Sequence, residues 1–266
     1  MFLVGSTIDH NYGQELMKLK LPVSRFPREY DPNILEMMDS PEVDPILLRE
    51  DLRNIQKINH WLGAYRLVQR ELKIFFQNWF RNPENRSKTC RILDVCTGSG
   101  DIPRLIVRWC RQNQVRVEVT ATDINPLMIQ QAIQESSNFP EIDFREVDVL
   151  KLPFERQSYD WTMCHLALHH FSAEQAVLVL KELWSIARTS LLINDLHRSR
   201  ILTLSTKVLI PLFSSNPITR FDAYLSTRRA FTSNEMLRLA FHAGIPTPRI
   251  RHYFLSRQVL IASKPI

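Results

Sequence analysis

Two hydrophobic periodicities divide the chain. Over residues 46–80 apolar side chains recur every three or four positions, at Leu48, Leu52, Ile55, Ile58, Leu62, Tyr65 and Val68, and this spacing predicts helix. Asp44 before Pro45 opens the segment as a cap followed by proline in the first turn, and Gly63 splits it into two helices. From Arg91 onward the pattern turns into short apolar runs, predicted as strands at 91–95, 115–123, 142–147, 159–164 and 190–195. Helical segments at 102–109, 125–135 and 173–187 separate them. Strands alternating with helices predict a doubly wound α/β sheet whose ligands sit at the carboxyl ends of the strands. Residues 196–231 break the rhythm with a basic turn, an apolar helix (201–213) and a polar loop. A helix at 233–243 and two strands, about 248–254 and 257–263, close the chain.

The polar loop Arg81-Asn82-Pro83-Glu84-Asn85-Arg86-Ser87 sets the expected boundary. Residues 1–85 form an N-terminal arm and a helical lid, with 1 to about 27 a loosely ordered arm, and 86–266 form the core with its insertion at 196–231. A length of 266 residues supports one substantial core with a small accessory segment. Hydrophobic residues at 44% and charged ones at 23% place the chain among soluble globular proteins. No apolar run is long enough for a bilayer, and the first residues lack the basic region and apolar core of a secretory signal. Cys90, Cys96, Cys110 and Cys164 form no Cys-x-x-Cys pair, so reduced thiols and a cytoplasmic location are expected rather than a disulfide framework or zinc site. The net charge of +6 is spread along the chain, which reads as solvated surface and not as a nucleic-acid face.

The candidate chemistry centres on Arg91-Ile92-Leu93-Asp94-Val95-Cys96-Thr97-Gly98-Ser99-Gly100-Asp101. A strand that turns through Gly-x-Gly into a helix brings bare backbone and helix N–H groups up to a ligand. Asp94, four positions before Gly98, would repel a pyrophosphate and attract a cationic amino acid. Pro103 stands where a dinucleotide fingerprint needs its third glycine.

The order Asp-x-x-x-Gly-x-Gly resembles motif I of the class I S-adenosylmethionine-dependent methyltransferases, with Cys96 where many members carry a first glycine. Three further stretches strengthen the likeness. Asp123 stands at the tip of the second strand, Asp148-Val149-Leu150-Lys151-Leu152-Pro153-Phe154 is similar to the family's D-x-x-x-L-P-F loop, and the fourth strand leads into Leu168-His169-His170. The resemblance covers about residues 90–195 and is strongest toward ubiquinone/menaquinone and small-molecule tailoring methyltransferases. It implies a Rossmann-like seven-stranded sheet with a reversed last strand. It also implies S-adenosylmethionine as cofactor and S-adenosylhomocysteine as product. In that reading Asp94, Thr97, Gly98 and Gly100 hold the methionine end and Asp123 the ribose hydroxyls. Ile124 packs on the adenine, Asp148 and Val149 meet its edge, and Cys164 lies where the sulfonium points.

Beyond the cofactor, His165 is the candidate general base or acceptor-binding hydrogen-bond partner, because imidazole titrates near neutrality. Asp195, at the tip of the fifth strand, is a second candidate. His60 and Trp61 on the lid are expected against the substrate, and Arg198 against a substrate carboxylate or phosphate. His169 and His170 read as orienting the following helix, and no metal ligand set is read. The expected activity is methyl transfer to oxygen or carbon of a hydrophobic, aromatic or phenolic small molecule. A quinone C-methyltransferase is the first alternative and a non-catalytic cofactor-binding scaffold the second. Neither a nucleic-acid partner nor a membrane span is expected.

Overall fold

The computed structural model describes residues 26–40, 42–253 and 256–264, so most of the expected N-terminal arm lies outside the described residues. Two helices come first, α1 (Pro45–Trp61) and α2 (Ala64–Trp79), followed by β1 (Cys90–Val95) and α3 (Asp101–Gln112). Then come β2 (Val117–Asp123), α4 (Pro126–Glu135), β3 (Ile142–Glu146), β4 (Tyr159–His165), α5 (Ala173–Ile186) and β5 (Ala187–Leu196). The insertion supplies α6 (Arg200–Phe213) and α7 (Pro217–Arg229), and α8 (Ser233–His242), β6 (Arg249–Tyr253) and β7 (Arg257–Ser263) end the fold.

The seven strands run in the order β3-β2-β1-β4-β5-β7-β6. All neighbours are parallel except β7, which pairs antiparallel with both β5 and β6. This is the Rossmann-like sheet with its reversed last strand. β1 and β4 sit in the middle with helices on both faces, which is why nearly every position of both strands is buried instead of every second one. Register sets the site: Val95, Cys164 and Ile193 share one level of three adjacent strands, so Asp94 lies one residue below that level and His165 and Asn194 one above it.

One hydrophobic cluster, with Leu180, Leu183, Phe231 and Leu239, fills the space under α5 and α8. The other, with Leu72, Phe76, Ile106 and Cys110, lies under α2 and α3. Phe75 of α2 stacks on Trp161 of β4 at 4.2 Å, and Phe76 stacks on Trp109 of α3 at 5.5 Å. Each such buried side chain is worth about 1.5–3 kcal/mol. The two N-terminal helices therefore divide the work: α2 is core, and α1 covers the ligand side. Asp44 caps α1 through Ile46 N–H at 2.7 Å, as the Asp-Pro pair predicts.

Gly100 starts α3 at φ +71°, and a Cβ built there would lie 2.8 Å from the Phe144 ring and 3.2 Å from Ala132. Gly98 is also left-handed, at φ +55°, but its Cβ would meet nothing closer than Met128 Sδ at 4.0 Å. We expect Gly100→Ala to destabilise the fold by more than ~2 kcal/mol in denaturant titration, and Gly98→Ala by only ~1 kcal/mol. Equal losses would mean that the Phe144 contact is irrelevant.

Candidate functional site

A cavity of about 790 Å³ opens at the carboxyl ends of the central strands, roofed by α1, α6 and α7. Asp94, 1% exposed, forms part of its floor. Its Oδ2 accepts from the Thr97 hydroxyl at 2.7 Å, and its Oδ1 is buried with no hydrogen-bond partner among the described residues. Burial raises this carboxyl to about 7. At the tip of β2, Asp123 accepts from Gly98 N–H at 2.8 Å and Asn125 N–H at 3.0 Å, and burial raises it to about 6. Ile124 and Val149 line the cavity beside it. Asp148, also on the wall, caps a short 3₁₀ turn through Leu150 N–H at 2.9 Å.

Cys96 takes the left-handed conformation, φ +54°, at the position where the motif resemblance expects glycine. Contact with the Cys164 thiol, together with burial, pushes Cys96 up and keeps it neutral. Cys96 lines the cavity, whereas Cys164 and Gly100 do not. Cys164 supports Cys96 from below, and Gly100 packs against Phe144.

His165 lies on the wall with Nε2 3.9 Å from Asp94 Oδ1. Asn194 Nδ2 stands 3.3 Å from its Nδ1, and since an amide nitrogen only donates, the ring proton belongs on Nε2. Burial, with Arg257 nearby, lowers His165 to about 3. The ring is a neutral donor, which suits the hydrogen-bond partner better than the general base, the two roles expected of it. Arg257, the first residue of the reversed strand, is buried on the same wall. Its Nη2 donates to Asn59 Oδ1 at 3.0 Å, and its Nη1 has no hydrogen-bond partner among the described residues.

Three expectations are corrected. Asp195 does not reach the cavity: it accepts from His169 Nδ1 at 2.6 Å, His169 N–H at 3.0 Å and Leu196 N–H at 2.7 Å. Arg198 is buried beneath the insertion in a two-pronged ion pair with Glu235, at 2.7 and 2.8 Å, and donates to Ala230 O and Phe26 O as well. His60 points away from the cavity, against Trp61 and Tyr65. The next residue, Trp61, stays at the mouth, 78% exposed.

A second polar cluster went unread in the sequence. Glu36, Asp39, Asp51 and Asp222 line the cavity near His169 and His170. Asp222 accepts from Met37 N–H and Met38 N–H at 2.7 and 2.9 Å, which ties α7 to the 36–39 turn. Burial, with Glu36 close by, raises Asp222 to about 8, and burial raises Asp51 to about 6. Burial pulls His170 down, but Glu36 and Asp39 with Asp195 outweigh it and hold the ring at about 10. Glu36-Met37-Met38-Asp39 carries no motif and falls in a proline-punctuated stretch, so only the tertiary fold brings it here.

Helix α1 joins the two ends of the cavity. Gln56 donates to Ser99 Oγ in the glycine turn at 2.9 Å, and Asp51 accepts from Thr219 of α7 at 2.6 Å. The cavity side of α6 presents Leu202 and Ile210, with Leu209 and Phe213 at its rim, Phe213 77% exposed, while the outward side leaves Ile201, Leu204 and Leu212 in solvent.

Residues 92–190 match a family model described as a methyltransferase domain. A ubiquinone/menaquinone biosynthesis C-methyltransferase of Bartonella tribocorum is 40% identical over 73 residues, covering 26% of this chain and 27% of that protein. A demethylmenaquinone methyltransferase of Deinococcus radiodurans is 30% identical over 97 residues, covering 36% of this chain and 38% of that one. The chain thus spans about a quarter to two fifths of the length of these relatives. Among solved structures, the plantazolicin methyltransferase BpumL in complex with S-adenosylhomocysteine superposes with a TM-score of 0.61 at 15% identity, over 86% of this chain and 95% of that one. A methyltransferase from Aquifex aeolicus superposes at 0.55 and 15% identity, over 88% and 99%. The CurJ carbon methyltransferase does so at 0.58 and 18% identity, over 84% and 61%.

Proposed function

We propose, from the premise that this chain belongs to the class I S-adenosylmethionine-dependent methyltransferases, that it methylates oxygen or carbon of an apolar aromatic acceptor, a phenol or a reduced quinone. The observation that carries the reading is Asp94 Oδ1, a buried carboxylate oxygen on the cavity floor beside the glycine turn that has no hydrogen-bond partner among the described residues. Such an atom costs stability unless a ligand satisfies it, and the ammonium of an amino acid is the ligand that fits.

The other residues fit the same cofactor. Asp123 accepts two backbone N–H groups, and its carboxylate oxygens keep lone pairs for ribose hydroxyls. Ile124 and Val149 offer apolar contact to a base, with Asp148 at its edge. Bound S-adenosylmethionine supplies an electrophilic methyl group, which leaves the protein the work of alignment and water exclusion. His165, with its proton on Nε2, donates from the wall and orients an acceptor oxygen. Leu202 and Ile210 supply the apolar side that an aromatic ring needs, with Leu209 and Phe213 at the exposed rim, placed to close over a bound acceptor. The quinone C-methyltransferases among the relatives support a carbon nucleophile activated by a neighbouring hydroxyl.

Calorimetric titration with S-adenosylhomocysteine tests the premise. We expect micromolar binding, about −8 kcal/mol, and none for NADH. Methyl-labelled S-adenosylmethionine offered with a demethylated quinol and a panel of phenols then tests the acceptor class. Preference for NADH would sink the cofactor assignment, and cofactor binding without label transfer to any acceptor would sink the catalytic one.

A further inference from the structure

We propose that Glu36, His169 and His170 form a site for one divalent metal ion of the zinc type, with an open position facing the cavity. Glu36 Oε1 lies 3.8 Å from His169 Nε2, and Glu36 Oε2 lies 3.6 Å from His170 Nε2. One ligand atom from each of the three residues falls within 4.8 Å of the others. Both gaps are too long for hydrogen bonds. They suit an ion: a tetrahedral centre with bonds of about 2.0–2.1 Å holds its ligand atoms about 3.3 Å apart.

The backs of both rings point the same way. His169 Nδ1 is 2.6 Å from Asp195 Oδ1, and His170 Nδ1 is 3.2 Å from Asp39 Oδ2. A carboxylate on each Nδ1 holds a ring proton there and aims Nε2 at Glu36, so an ion that displaces the Nε2 proton of the charged His170 meets both rings in the orientation that metal-binding histidines use. The supports come from separate parts of the chain, Asp195 from β5 and Asp39 from the 36–39 turn, so the fold and not one local loop aims the rings. Ser226 Oγ donates to Glu36 Oε1 at 3.0 Å and orients the third ligand. Arg28 donates to the carbonyls of His169 at 2.9 Å and Phe171 at 2.7 Å, which fixes the turn that carries the rings.

Charge points the same way. Glu36, Asp39, Asp195 and Asp222 surround two imidazoles, while Arg28 and Arg229 donate to backbone carbonyls instead of to these carboxylates. Two nitrogens and a carboxylate favour a borderline ion over magnesium or calcium, which prefer all-oxygen shells. Three protein ligands leave a fourth position for an oxygen, as in catalytic zinc sites. All three residues line the cavity, so that oxygen belongs to the acceptor, a role that rests on the methyl-transfer reading.

Cobalt(II) titration of the full chain, followed by visible absorption and by metal content after dialysis, tests the site. We expect one equivalent bound at micromolar concentration. The near-isosteric Glu36→Gln should weaken it at least ~10-fold, and Asp39→Asn, which removes only the support behind His170, should weaken it ~10- to 100-fold. Uptake no tighter than millimolar in the native chain, or one-equivalent uptake unchanged in both variants, would overturn the inference. Circular dichroism of each variant separates ligand loss from unfolding. S-Adenosylhomocysteine affinity, measured separately, reports on the methyl-transfer reading and has no bearing on the cobalt result.

Discussion

Asp94→Asn should weaken S-adenosylhomocysteine binding by about 100-fold, the cost of removing one member of a buried charged pair, and should raise the melting temperature of the ligand-free protein. The two effects have one cause. The carboxyl is lifted from 3.8 to about 7 by burial. In the unfolded chain it ionises near 3.8, so ionisation favours unfolding progressively from about pH 4 to pH 7, and the penalty is constant above that. At pH 8 it amounts to at most about 4 kcal/mol. Asparagine removes the penalty and can still accept from the Thr97 hydroxyl, so thermal melts should show a gain of roughly 5–10 °C. The native chain should bind S-adenosylhomocysteine about 10-fold more weakly at pH 6 than at pH 8, because the ammonium needs the ionised form. The asparagine variant should be flat over that range. Calorimetry in buffers of different ionisation enthalpy would register proton release for the native chain alone. Equal affinity in the two proteins would remove Asp94 from the site.

Arg198→Ala should cost about 3–5 kcal/mol of folding stability, because it leaves the Glu235 carboxylate buried without its partner. Burial opposes ionisation of Glu235, but hydrogen bonds from Arg198 and Thr232 win and hold it below the usual carboxylate range. The stability that Glu235 contributes is therefore present above its unfolded-state value and is lost as pH falls through the lower folded one. Replacing both partners by apolar residues should recover much of the loss, since the desolvation of two charges disappears with them. Denaturant titration of the single and double variants decides the matter. A Michaelis constant that rises on Arg198→Ala while stability is unchanged would return Arg198 to the substrate site.

The parts of the site that lie along one strand end were legible in advance. Asp94, Asp123 and Asp148 each follow an apolar run, and strand alternation alone puts their tips on one edge of the sheet. The errors arise where a residue's direction depends on a partner far along the chain. Asp195 ends a strand as Asp94 does, but its carboxylate turns to His169. Arg198 follows a strand into a basic turn, and only the capping box at Thr232–Glu235 explains where its side chain goes. Helical period places Leu62 and His60 on the lid but does not say which side of it faces the ligand. Asn59 and Trp61 line the cavity while His60 does not. Arg257 and Glu36 carried no signal at all. One begins a strand whose order in the sheet is not its order in the chain, and the other sits in a turn that acquires its role only when α7 packs against it.

The bonds that α1 makes at its two ends have a kinetic consequence. If the chain methylates as proposed, Gln56 holds the glycine turn and Asp51 the insertion, so cofactor and acceptor would both leave past the same helix. Freeing it breaks these bonds together with those of Asn54 to Ser214 and Thr219, of Asn59 to Arg257 and of Leu47 O to Asn216, each worth about 1 kcal/mol. Entry and exit thus become sequential events at a shared gate, and the homocysteine product must wait for a motion that the methylated acceptor also needs. Turnover is then paced by the helix and not by the sulfonium, and it should slow in proportion as the solvent is made more viscous.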